Sequence, residues 1–227
     1  MGREYIELIC SLPFLANPFV HRRPPISNVQ LTKRLNMLDY EDRQLVRELA
    51  QTFYWGSISG DRSDEQIAYR ARRLIARVQQ EDLSEWLQWR MDMRTVIAAL
   101  RRRKRGEDAP PVGDWGYGRY TLHLERNWSH PTFRLAHTFP WLPEAKSLLE
   151  ERETFELERV LLSAAWDYYS TREPVEPFGV AAVWLYLMRW DLVERWCSYD
   201  SDNAKLRFDE LVASALEAPL AELRKIA

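Results

Sequence analysis

The residue pattern between Asp82 and Gly106 constrains this chain more than any other stretch. Trp86, Trp89, Met93, Val96, Ile97 and Leu100 recur at steps of three and four, the spacing of one helical face. A stripe that long must be covered by other elements, and the flanking sequence supplies helices to cover it. Ser27 with Gln30, and Ser63 with Gln66, read as capping boxes, in which the Ser and the Gln satisfy each other's free backbone donors. Leu31, Leu35 and Leu38 follow the first box at helical spacing, and Ile67, Ala71, Leu74, Ile75 and Val78 follow the second. Between them, EDRQLVRELAQTFYW reads as a further helix, ended by a polar break between Gly56 and Gly60.

Downstream, Pro143 suits a first helical position, and a long helix is expected through SLLEERETFELERVLLSAAWDYY. Another is expected from Pro177 to about Cys197, with one or two more closing the chain, the last opened by Pro219. Two segments invite a strand instead: YIELIC near residues 4–9 and RYTLHLE near 119–125. The expected fold is therefore mostly all-α, a multi-helix bundle of one or two similar lobes with a short strand near the N-terminus. We expect one helical domain over residues 1–227, with a lobe boundary at the loop 106–118, where Pro and Gly cluster. With 46% hydrophobic residues and 10 Trp, the chain can bury a sizeable core, which excludes an intrinsically disordered protein.

The helix that begins near Asp82 ends in five consecutive cations, Arg101, Arg102, Arg103, Lys104 and Arg105, just before Gly106. Acids at Glu81, Asp82 and Glu85 and cations at the far end match the helix macrodipole, at about 0.3–1 kcal/mol for each well-placed charge. Gly106 suits the left-handed residue that closes a helix. The dipole accounts for the sign and place of the cluster but not for its number, so the five cations are a candidate partner-binding surface. A net charge of −2 gives no global pull toward nucleic acid or anionic lipid, and no nucleic-acid partner is expected. A nucleic-acid reading would combine the five cations with Trp115 and Tyr117 of the adjoining loop.

Catalytic signatures are missing from the sequence: there is no G-x-S-x-G, no phosphate loop and no G-x-G-x-x-G. His123, His130 and His137 recur every seven residues, which invites a metal or enzyme reading. Pro131 and Pro140 interrupt that segment, and no paired cysteines or carboxylates stand at ligand spacing. No cofactor is expected. Cys10 and Cys197 make neither a metal spacing nor a disulfide framework, which fits a reducing cytoplasm. The longest apolar run, FGVAAVWLYLM, falls short of the roughly 20 residues that a membrane span needs. The N-terminus carries acids within its apolar run, so no signal peptide is expected.

Two stretches carry a resemblance to a known family. MDMRTVIAALRRRKRG resembles a helix of the C-type (or d-type) subunit of V-type/A-type ATPases, which reads Asp-x-x-Asn-Leu and then, after an aliphatic turn, Leu-Arg. Asp92 and Leu100–Arg101 stand at the family spacing, while Thr95 and Val96 replace the Asn and Leu. PFGVAAVWLYLMRWDLVERWCSY is similar to a late helix of the same family through Tyr186, Leu187, Arg189 and Glu194, the Glu displaced by about one position. The whole chain looks closer to a shorter bacterial branch distantly similar to that family. Its signatures here are Tyr5 with Ser11-Leu12-Pro13, a Pro-Pro-Ile-Ser loop, Asn127 to Leu135, Phe-Pro-Trp-Leu-Pro at 139–143, and Glu-Arg-Trp at 194–196.

The resemblance implies an all-helical, non-catalytic structural adapter. In that family it joins the central-shaft subunits to the membrane rotor ring, which would place this chain in the cytoplasm, peripherally on the inner face of the cell membrane. The chain is shorter than the members of that family, so a lobe is expected to be missing or trimmed.

Overall fold

A computed structural model describes residues 4–55, 63–110 and 115–199. All regular structure among the described residues is helical, with no strand or sheet. The helices in chain order are α1 (Ile6–Ser11), α2 (Asn28–Leu35), α3 (Tyr40–Phe53), α4 (Asp64–Ile75), α5 (Glu81–Lys104), α6 (Thr121–Arg126), α7 (Leu142–Glu151) and α8 (Thr154–Ser170). A final helical run, α9, covers residues 180–199. Short 3₁₀ turns occupy Pro18–Val20 and Gly118–Tyr120.

Both capping boxes form. Ser27 and Ser63 accept from the backbone N–H of Gln30 and Gln66, and each Gln side chain reaches back to its Ser backbone. The 24-residue α5 is the axis of the molecule, about 36 Å long at 1.5 Å per residue. It packs against α3, α4, α6 and α7. Its buried residues run all the way round, from Leu83, Trp86 and Leu87 through Arg90, Met91, Asp92 and Met93 to Thr95, Val96, Ala99 and Leu100.

Two apolar cores form along α5. The larger draws on α1 to α5, α8 and α9, with Trp86, Trp184, Tyr169 and Phe53 among its fully buried side chains. The smaller joins Val96, Ala99 and Leu100 to Trp115, Leu124, Phe133, Leu135, Phe139 and Leu142. Of the loop 106–118, whose residues 111–114 lie outside the described residues, Trp115 packs in the smaller core and Tyr117 in the larger. The chain returns from the loop to both cores, and Trp141 and Leu149 touch each.

Both expected strands are helices. Tyr5, Leu8, Ile9 and Leu12 carry the burial around α1, a period of three to four, while Ile6 stays exposed. The Tyr5 N–H donates to Phe178 O at 2.7 Å and ties this first turn to the entrance of α9. In α6, Thr121 and Leu124 are buried and Leu122 is exposed, which a strand alternating on Leu122 and Leu124 could not give. The single long helix expected over 147–169 is two helices. Arg152 takes a left-handed conformation at φ 66°, and the Glu153 N–H returns to Leu148 O at 3.0 Å, a Schellman-type close reached without glycine. The polar break at Gly56 and Gly60 and the closing helix at Pro219 lie outside the described residues.

Candidate functional site

The cationic end of α5 divides by function once its neighbours are in place. Arg103 reaches across to the segment after α6, donating to the carbonyls of Trp128 (3.3 Å), His130 (2.6 Å) and Pro131 (2.5 Å), with its guanidinium 4.3 Å from the Phe133 ring centre. Burial lowers its pKa, and the Glu150 charge opposes that shift. Lys104 donates to Leu149 O near the end of α7. Arg102 lies over the Trp115 ring and pairs with Asp64, Glu65 and Glu107. These three side chains brace the fold. Trp115 and Tyr117 are 5% and 8% exposed, so neither presents a stacking face beside the cluster.

Arg101 and Arg105 point elsewhere, although Arg105 Nε donates to the Glu107 carboxylate at 2.5 Å. With Arg90, Arg94, Ile97 and Ala98 they form one face of α5, which walls a cleft of about 360 Å³. The opposite wall is Trp55 after α3, Asp64 at the start of α4, Glu158 and Leu161 of α8, and Arg195 of α9. Five guanidinium groups thus face two carboxylates. Both carboxylates are already engaged. Glu158 accepts from the Trp55 indole N–H and from Arg195 Nε, each at 2.8 Å, and Asp64 accepts from Arg94 at 3.4 Å.

Arg90 sits deepest, only 4% exposed. Its guanidinium lies 4.2 Å from the Trp55 ring centre, and its buried Nε has no hydrogen-bond partner among the described residues. Arg94 beside it is pushed down to about 10, first by burial and then by the Arg90 charge, with Arg101 adding to the effect. Beneath the cleft, the carboxylate of Asp191 accepts the Trp55 backbone N–H at 2.7 Å. Burial pushes Asp191 up to about 7, opposed by that N–H and by the nearby Arg90 charge.

The residues that carry the family resemblance have structural partners. Asp92 is 1% exposed and pairs with Arg119, while its Oδ1 has no partner among the described residues. Burial pushes it up to about 6, opposed by Arg119. Leu100 belongs to the smaller core. Arg189 of α9 closes the C-terminus of α8, donating to Tyr169 O through Nε at 3.1 Å and to Arg172 O at 3.1 Å. Tyr186 has a buried hydroxyl without a partner among the described residues and is raised to about 12 by burial. Glu194 accepts from the Ser198 hydroxyl at 3.3 Å.

The three histidines do not converge. His123 Nε2 stands 2.8 Å from Phe133 O, His130 Nδ1 accepts from the backbone N–H groups of Thr132 and Arg134, and His137 is exposed. Among the described residues no group of three or more His, Cys, Asp or Glu stands close enough to hold a metal ion.

Sequence reasoning missed Arg90, Arg94, Arg195 and Trp55. The first two were within reach, because Arg90, Arg94, Arg101 and Arg105 fall at steps of four, seven and four, a single helical face. The contiguous run of five drew attention from that spaced row. Arg195 and Trp55 reach the cleft only through tertiary packing, which no local pattern encodes.

Fold and cleft together define an all-helical protein built round one central helix, with an arginine-walled cleft along it. Residues 73–217 match the family described as "Protein of unknown function (DUF2764)", and the chain belongs to that family. The matched region takes in all of α5 and every arginine of the cleft. No curated protein and no solved structure matches the chain.

Proposed function

We propose that this chain is a non-catalytic adapter between the central shaft and the membrane ring of a V/A-type ATPase, working at the cytoplasmic face of the membrane. One observation carries the reading: α5 separates scaffold from contact surface. Asp92 and Leu100, which resemble the motif of the ATPase family helix, are buried, whereas Arg101 and Arg105 at the same end are exposed. A part that transmits torque must resist deformation, and a helix buried on most of its circumference, with Arg102, Arg103 and Lys104 locking its end to three neighbouring segments, supplies that stiffness. Arg101 suits acidic loops on a shaft or ring, whereas Arg105 is already paired with Glu107. No helix among the described residues is long and apolar enough to cross a membrane, so attachment to a ring would run through surface contacts.

The test is co-purification from the source organism. A tagged chain at native level should elute with shaft and ring subunits of the membrane ATPase after detergent extraction. An ATPase that isolates intact and active from a strain lacking this chain refutes the reading.

A further inference from the structure

We infer that the cleft between α5, α8 and α9 is a binding site for a small phosphate-bearing anion carrying two or more negative charges. Arg90 gives the strongest reason. A guanidinium offers five N–H donors, and burying one without hydrogen-bond partners is costly. Arg90 is 4% exposed, lines the cleft and makes no hydrogen bond or ion pair among the described residues, stacking only on Trp55.

The second reason is charge. Arg94, Arg101, Arg105 and Arg195 line the same walls, and the two carboxylates among them are spent on Arg94, Arg195 and Trp55. Counting Glu107, which pairs with Arg105 at 2.5 Å, a surplus of two positive charges remains, a standing repulsion that an anion would relieve. Burial and the Arg90 charge already weaken the hold of Arg94 on its proton. The third reason is the kind of cation. All five are arginine, whose planar fork binds phosphate oxygens two at a time, and none is lysine. A single carboxylate would leave half of that surplus uncompensated, whereas a phosphomonoester, at about −2, matches it.

The shape agrees. About 360 Å³ lies at the lower end of the range for small-molecule sites, and Trp55, Ile97, Ala98 and Leu161 give the cleft an apolar side. A phosphate joined to a compact organic body fits such a space. The site shares Arg101 and Arg105 with the contact surface proposed above but requires no ATPase, so binding by the purified chain tests it apart from co-purification.

The experiment uses the purified full chain with inorganic phosphate, pyrophosphate, ATP, citrate and a poly-glutamate peptide as probes, read by calorimetry and by thermal unfolding. Saturable binding of at least one phosphate compound is expected, with a rise in Tm, because a ligand that binds only the folded state stabilises it. Arg90→Met and Arg94→Gln should each weaken it on the order of tenfold or more. Arg101→Gln, at an exposed position on the cleft wall, keeps the test valid if Arg90→Met fails to fold, and should weaken binding by a smaller factor. Arg23→Gln, at an exposed position that does not line the cleft, should leave it unchanged. No saturable binding by any phosphate compound, or equal affinity in the Arg94 and Arg101 variants and the parent, overturns the inference. Citrate binding as tightly as pyrophosphate, or binding by poly-glutamate alone, also overturns it, the latter in favour of protein docking.

Discussion

Replacing Asp191 with Asn should change how stability depends on pH, and the structure gives both the sign and the size. Asp191 is 4% exposed, and burial lifts its carboxyl from an ordinary 3.8 to about 7. Its folded pKa is thus above its unfolded one, and the folded state holds a proton that the unfolded chain gives up. The stability this contributes is full below about pH 4 and is lost as pH rises through about 7. At ~1.4 kcal/mol per pKa unit, a shift of about three units amounts to as much as ~4 kcal/mol. Asn keeps an oxygen to accept the Trp55 backbone N–H and carries no charge at any pH. Relative to the parent, Asp191→Asn should therefore gain up to ~4 kcal/mol of stability between pH 4 and pH 8. Urea unfolding of both proteins across that range measures it, and taking the difference removes titrations common to the two. A difference that stays flat, or that falls as pH rises, would show Asp191 to be an ordinary ionised partner of Arg90 and would refute the reasoning.

Further substitutions probe the scaffold. Leu87→Ala, at a fully buried site on α5, should cost ~2–5 kcal/mol in chemical denaturation. Gly116→Ala should cost about 1–3 kcal/mol, because a Cβ there would meet Thr95 Cγ2 at 2.7 Å; Thr95→Ser, which removes that methyl but keeps the hydroxyl, should restore much of the loss in the double variant, and strictly additive losses would contradict the contact. Arg103→Met should cost about 1–3 kcal/mol by leaving three carbonyls without their donor, whereas Arg101→Gln should move the urea midpoint by no more than ~0.5 kcal/mol equivalent.

The contrast between Arg103 and Arg101 marks the limit of what the sequence revealed. Helix identity and the capping boxes at Ser27 and Ser63 were legible because they depend on residues three and four apart. The break between α7 and α8 was not, because Arg152 adopts a left-handed backbone that sequence usually signals with glycine. α1 was misread because a six-residue helix shows under two turns of its period. At the basic cluster, neighbours on one helix differ in role by rotation alone: about 100° per residue turns Arg102 and Arg103 onto the fold and leaves Arg101 and Arg105 on the cleft. Which direction was solvent depended on Trp115, the 128–133 segment and α8, all distant in sequence.

Cross-linking from position 101 in living cells tests the central claim most directly. With a photoreactive amino acid in place of Arg101, irradiation of the source organism should join the chain to an acidic segment of an ATPase shaft or ring subunit, identified by mass spectrometry. Adducts confined to proteins outside that enzyme would contradict the adapter role.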